Sequence, residues 1–104
     1  MRFTFDAELY PWTPKKQDGS DAATWVFVSL PEDVSDAVDD ATSMTGGFGS
    51  VKVNVQLGGS NWSTSLFPSK ELATYVLPIK KAIRSKESVD SGDTASFTIE
   101  LVHV

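Results

Sequence analysis

The chain contains no cysteine and only one histidine, His103. The lack of cysteine excludes disulfide bonds, thiolate-bound zinc, iron–sulfur clusters and cysteine nucleophiles, so packing must stabilise the fold. No apolar run approaches the roughly 18 residues of a membrane span, and the N-terminus lacks the basic and apolar regions of a signal peptide. We therefore expect a cytoplasmic protein with no membrane contact.

The length of 104 residues suits one hydrophobic core and is too short for two, so we expect a single domain over residues 1–104. The net charge of −5 repels a phosphate backbone on average, which makes nucleic acid a poor partner. The charges are segregated, however. Residues 32–40 hold five acids, whereas residues 80–86 hold four cations, and a local basic patch remains open.

Alternating apolar and polar residues predict strands over residues 3–9, 51–57 and 95–101. Residues 24–30 form a β-branched and aromatic run without alternation, which indicates a strand buried on both faces and places Trp25 in the core. Shorter strands are predicted over residues 62–67 and 73–77. Residues 10–23 contain two prolines and a glycine and read as a long connection.

Two short helices are predicted after Pro31 and Pro78, where apolar residues recur at helical spacing. The first stripe comprises Val34, Ala37, Val38 and Ala41, and the second comprises Ile79, Ala82 and Ile83. Each half of the chain thus reads strand, strand, Leu-Pro, short helix, glycine turn, alternating strand. Leu30-Pro31 matches Leu77-Pro78, and Gly49-Ser50-Val51 matches Gly92-Asp93-Thr94.

This repetition indicates an internal duplication of one strand-and-helix unit. Two such halves supply six or more strands and two short helices, which makes the fold mainly β. Closure into a small barrel would remove the exposed sheet edges that invite aggregation. We therefore expect a closed barrel, with one helix over each opening.

Several segments resemble one known family: WVFVSLP at 25–31, SVKV at 50–53, WSTSLFP at 62–68, LPIKKAIR at 77–84 and GD at 92–93. The family is an uncharacterised bacterial and archaeal group, catalogued only as a domain of unknown function. Some of its members are fused to a YdeI/OmpD-associated bacteriocin-protection segment. The resemblance implies a double-split β-barrel, a fold class shared with AbrB-like and MazE-like regulators and antitoxins, and it implies no established activity.

The sequence departs from that family pattern at one turn. A glycine usually follows the strand that ends at Phe67-Pro68, whereas this chain has Ser69-Lys70-Glu71-Leu72, so we expect a different turn there. The YdeI/OmpD-associated segment is also missing from this sequence.

The most pointed candidate site combines cations and hydroxyls. Lys80, Lys81 and Arg84 fall in the first turns of the second helix, and the preceding strand carries Ser63, Thr64 and Ser65. A helix N-terminus flanked by such groups can hold a phosphate or carboxylate. Two alternatives stay open: a merely solvated charged face, and a contact surface for the acidic helix of another copy in a homo-oligomer.

Tryptophans extend this candidate ligand-binding set. Trp62 begins a strand, and Trp12 lies in the long connection beside Lys15 and Lys16. An exposed aromatic ring near cations is a recurring ligand platform, although a loop aromatic can equally cover a barrel end. The predicted ligand-binding residues are Trp12, Trp62, Ser63, Ser65, Lys80, Lys81 and Arg84.

Three other features have simpler explanations, and no metal or cofactor is expected. The sequence has no second histidine that could complete a site with His103, so we interpret His103 as a frayed strand end. The glycines at 46–49 follow a helix and precede a strand, the reverse of a phosphate-binding loop, so they indicate a helix stop. Asp36, Asp39 and Asp40 have helical spacing, which is typical of a solvated face.

The sequence shows no recognisable combination of catalytic residues, and its charges are segregated. Both observations favour a non-enzymatic binding or regulatory domain for a small anionic ligand or a protein partner. The alternative is an AbrB-like or MazE-like DNA-binding regulator or antitoxin, which rests on fold analogy and is opposed by the acidic charge. A hydrolytic enzyme ranks third. Asp93 and Glu100 are the carboxylates nearest His103 in sequence, but alternation sends Glu100 to the opposite face of the strand.

Overall fold

The computed structural model describes residues 1–12, 24–43 and 49–102 of the chain. These residues form seven strands and two helices: β1 (Arg2–Glu8), β2 (Tyr10–Trp12), β3 (Trp25–Ser29), α1 (Glu32–Ser43), β4 (Val51–Leu57), β5 (Ser60–Ser69), β6 (Thr74–Pro78), α2 (Lys81–Glu87) and β7 (Thr94–Leu101). The mainly β class and the two short helices are confirmed. Neither described helix has the length and apolar character needed to cross a membrane.

Alternation along the strands accounts for the core. In β4 the four apolar residues from Val51 to Leu57 are buried, and the three polar residues between them are exposed. In β7 the same alternation buries Phe97, Ile99 and Leu101. One face of the sheet therefore packs inward, as the alternating patterns predicted.

The strands form one antiparallel sheet with the order β1-β7-β4-β5-β6-β3-β2. Strand β5 belongs to both halves of this sheet, because residues 60–66 pair with β4 and residues 67–69 pair with β6. The sheet curls around the core, and its two edge strands, β1 and β2, are consecutive in the chain. A single residue, Leu9, connects them.

The helices pack against the curled sheet through short apolar stripes. Val34 and Val38 of α1 are buried, and so is Ile83 of α2. Helix α1 lies against β6 and α2 against β5. Buried Ser35 fixes α1 further, because its Oγ accepts a hydrogen bond of 3.2 Å from the backbone N–H of Tyr75.

The strand order of the sheet agrees with the predicted duplication. The first half supplies β1–β2, β3, α1 and β4, and the second supplies β5, β6, α2 and β7. Exchanging the halves reproduces the same neighbours, since β4 lies beside β7, and β3 lies beside β6. The matched glycines also share a backbone conformation, with φ of 98° at Gly49 and 95° at Gly92. The two halves are therefore alike in topology and at this turn.

Closure into a barrel is not confirmed. The strand order has two ends, and in the described part of the chain no backbone ladder joins β1 to β2. Leu9 links these edges covalently instead, with its N–H donating to the Asp93 carbonyl at 2.9 Å and its carbonyl accepting from Gly92 at 2.8 Å. The fold is therefore a curled half-barrel sheet of seven strands.

Two predictions for the strands were wrong. Strand β3 is buried on one face only, and Trp25 is 51% exposed rather than in the core, because aromatic side chains occupy the outward positions of that strand. Residues 10–12 form β2 rather than part of a connection. Pro11 is tolerated there because β2 is an edge strand, where a missing N–H breaks no ladder.

The second helix begins later than predicted, at Lys81 rather than Ile79. The N–H of Ile79 donates to the Val26 carbonyl at 2.9 Å, which holds the backbone of Ile79 against β3. Lys80 is the extended N-cap residue, with φ −69° and ψ 156°. A long-range backbone hydrogen bond therefore overrides the helical spacing at these two positions.

Candidate functional site

A groove of about 470 Å³ lies where β5 separates from β6, and α2 borders it. We call it the α2 groove. Three cations line it from the α2 side, namely Lys80, Lys81 and Arg84. The strands contribute two indoles, Trp25 and Trp62, together with apolar and hydroxyl side chains.

A proline explains why the strands separate. Tyr75 and Ile79 direct their backbone groups to β3, since Leu30 donates to the Tyr75 carbonyl and Ile79 donates to Val26. Because hydrogen-bonding direction alternates along a strand, Val76 and Pro78 face β5. Val76 pairs with Phe67, but Pro78 has no N–H to donate, and the β5–β6 ladder ends before it. The gap beyond this point forms the α2 groove.

Arg84 is the most constrained cation of the groove. Its side chain is only 15% exposed, and its Nη1 lies 3.9 Å from Oδ1 of Asp90, whose side chain is 75% exposed. Such a pair contributes little, roughly 0–1 kcal/mol, because solvent screens it. The Nε of Arg84 is buried and has no hydrogen-bond partner among the described residues. The guanidinium of a residue that lines the groove is therefore poorly neutralised.

The strand side of the groove is largely apolar. Trp62 lies opposite Val55 of β4 and packs, partly buried, against the core. Thr64 follows on the same face of β5. Ser63 points to the other face, where its Oγ donates to Oδ1 of Asn54 at 2.6 Å, and it lines the rim. The α2 groove thus has an apolar wall and a cationic wall.

The structure brings together five of the seven predicted site residues, because Trp62, Ser63, Lys80, Lys81 and Arg84 all line the α2 groove. Ser65 does not line it. This residue lies opposite Lys52, two positions closer to the point where β5 pairs with β6. Thr64, the residue before it, lines the groove instead.

Trp12 also lies away from the α2 groove. Strand β2 places it beside Phe27, with ring centroids 5.9 Å apart, on a separate apolar groove of about 320 Å³. Lys15 and Lys16, which suggested a cationic neighbourhood for Trp12, lie outside the described residues, as do His103 and the glycines at 46–47.

Sequence reasoning missed Trp25, whose ring stacks on Phe27 with centroids 6.1 Å apart and an interplanar angle of 8°. A signal for its position was present. Trp25, Phe27 and Ser29 alternate with branched aliphatic residues, and only the aliphatic set, Val26, Val28 and Leu30, is fully inward. The contrast in residue type marks the outward face of β3.

The acidic residues of α1 remain separate from the groove. Asp36, Asp39 and Asp40 are exposed, as predicted for a solvated face. Within residues 1–12, 24–43 and 49–102, no group of three or more His, Asp or Glu side chains is arranged to hold a metal ion.

Comparison with known proteins identifies a family. A family model described as a domain of unknown function (DUF1905) matches residues 5–99, nearly the whole chain. No curated protein matches the sequence. The resemblance to an uncharacterised domain family is therefore confirmed.

Proposed function

The chain belongs to the DUF1905 family of domains of unknown function, and we propose that it is a non-enzymatic, cytoplasmic binding domain that holds a small anionic ligand in the α2 groove. The observation that carries this proposal is the state of Arg84. Its guanidinium lines the groove and has only a weak, screened ion pair with Asp90, so an anionic group beside it would supply a countercharge and acceptors for charge-assisted hydrogen bonds.

The shape of the surface favours a small molecule over a protein partner. A flat cationic patch would suit a protein interface, whereas a concave site of about 470 Å³ falls within the roughly 300–1,000 Å³ typical of ligand pockets. Lys80 and Lys81 are exposed at the mouth, where they attract an anion over a distance set by ionic strength.

The proposal predicts a charge-dependent affinity. Changing Lys80, Lys81 and Arg84 together to glutamine is expected to weaken binding of phosphate esters or carboxylates at least about tenfold, since each charge-assisted hydrogen bond contributes roughly 1.5–3 kcal/mol. Isothermal titration calorimetry at low and moderate salt measures this loss.

A matched control removes the same charge elsewhere. Lys52, Lys70 and Lys86 are exposed and do not line the α2 groove, so the corresponding triple glutamine variant should bind within about twofold of the wild type. Equal losses in both triple variants would attribute binding to net charge and contradict the proposed site.

We also infer that the curled sheet is a double-split β-barrel, the fold that the family resemblance implied. The exchange symmetry of the strand order supports this inference, as does the division of β5 between two partner strands. Leu9 would take the place of the missing ladder between the two edges.

The cations of the α2 groove leave one second candidate, a DNA-binding regulator or antitoxin of the AbrB-like or MazE-like kind. The net charge of −5 opposes it, because non-specific affinity for DNA comes from neutralised phosphates. We expect no retention of random or operator DNA in a gel-shift assay at low salt. Retention that disappears in the Lys80, Lys81 and Arg84 variant would reverse the ranking.

A further inference from the structure

The size of the α2 groove bears on the kind of anion that it accepts. One water molecule occupies about 30 Å³ of liquid, so a groove of about 470 Å³ corresponds to roughly 15 waters. An inorganic oxyanion would fill only a small part of this space. The remaining volume leaves room for an organic body attached to the charged group.

The aromatic wall bears on the shape of that body. Trp25 packs one side of its indole on Phe27, at an interplanar angle of 8°, and remains 51% exposed where it lines the groove. Trp62 lines the same groove and is held in place by the core beneath it. The two indoles therefore offer aromatic surface in one groove, on which another flat ring can stack.

The two walls differ in chemistry. The indoles come from β3 and β5, whereas Lys80, Lys81 and Arg84 all come from α2 and its N-cap. A bound molecule spanning the groove therefore meets apolar ring surface at one end and positive charge at the other. We infer that the ligand is a planar aromatic anion, such as an aryl phosphate or aryl carboxylate, with its ring on Trp25 and Trp62 and its anion beside Arg84. This inference rests on the proposed function.

A pair of probes isolates the contribution of the ring. Phenyl phosphate and cyclohexyl phosphate have the same charge and nearly the same size, but only the first is flat and aromatic. In calorimetric titrations we expect phenyl phosphate to bind about tenfold more tightly, a ratio typical of stacking on an aromatic side chain.

Leucine variants locate the effect. Trp25→Leu and Trp62→Leu should each weaken phenyl phosphate about three- to tenfold and change cyclohexyl phosphate by less than about twofold. Trp12→Leu is the matched control, because Trp12 is also 51% exposed and also packs on Phe27, yet lies outside the groove. Thermal unfolding monitors folding. If Trp62→Leu does not fold, half-exposed Trp25 decides the question.

Two negative results are distinguishable. If both phosphates bind the wild type equally and Arg84→Gln weakens both, the anion site stands and the aromatic preference is wrong. If neither phosphate binds at millimolar concentration, the proposed function fails, and this inference fails with it.

Discussion

Leu9→Ala is expected to destabilise the fold by about 2–5 kcal/mol, the range measured for truncating a fully buried leucine. Leu9 has no exposed surface and is the only residue between β1 and β2, which form the two edges of the curled sheet. Its truncation leaves a cavity at the point where the chain passes from one edge to the other. Urea denaturation followed by circular dichroism measures the free energy of unfolding.

Leu72→Ala is the matched control for this experiment. Leu72 is 51% exposed, so the same substitution should change the free energy of unfolding by no more than about 0.5 kcal/mol. Equal destabilisation by the two variants would mean that Leu9 has no special role in joining the edges. The account of the curled sheet would then be wrong.

Glu87→Ala should destabilise the fold by about 1–3 kcal/mol because it removes the acceptor of two hydrogen bonds. Oε2 of Glu87 accepts from Oγ of Ser60 at 2.5 Å, and Oε1 accepts from the N–H of Gly59 at 3.3 Å. Ser60 is buried, so its hydroxyl would lose its partner at a position with little access to water. These bonds attach the end of α2 to the turn between β4 and β5.

The turn is shaped for this contact. A Cβ built on Gly58 would overlap the Glu87 carboxylate. The φ of Gly58 is 56°, a conformation that glycine adopts without strain. Glycine is therefore required for the close approach. Because α2 also carries Arg84, this attachment holds the cationic wall of the α2 groove in position.

Lys86→Ala provides the reference for Glu87→Ala, since Lys86 is exposed and precedes Glu87 in the same helix. Chemical denaturation of both variants separates the loss of the attachment from the loss of a helical charge. In a Ser60→Ala background, Glu87→Ala should cost measurably less than in the wild type, because the shared hydrogen bond is already gone. Full additivity would show that Glu87 and Ser60 do not interact energetically.

Short sequence patterns correctly predicted the alternating strands and the two helices. Strands β4 and β7 follow from alternation alone, because one face of each is buried against the core. The two helices follow from apolar spacing after Pro31 and Pro78. The matched glycines predicted two like halves, and Gly49 and Gly92 share a positive φ.

Three features depend on pairing between distant residues and were not predicted from the sequence. Helix α2 begins later than predicted because Ile79 donates its N–H to Val26 of β3 and Lys80 is extended. Strand β2 forms because Tyr10–Trp12 pairs with β3, residues that are distant in the sequence. The open ends of the sheet likewise depend on pairing between residues far apart, which no short window of sequence reports.

In the candidate site, too, some residues were predicted from local sequence and others depend on the three-dimensional fold. Lys80, Lys81 and Arg84 were identified from their clustering, and Trp62 and Ser63 were identified from the neighbouring strand. Trp25 was missed because its aromatic run suggested burial on both faces, whereas in the fold it stands on the outer face and reaches the groove. Pro78 was predicted to stop the strand before it, and it is the last residue of β6. Its effect on the β5–β6 ladder depends on which neighbouring strand its backbone faces.

The most direct test of the central claim is a titration of the ¹⁵N-labelled protein with phenyl phosphate, followed by amide and indole NMR shifts. Binding in the α2 groove predicts saturable shifts at the backbone of Lys81 and Arg84 and at the indole N–H groups of Trp25 and Trp62, with α1 unaffected. Saturable shifts confined to residues outside the groove, or none at millimolar concentration, would contradict it.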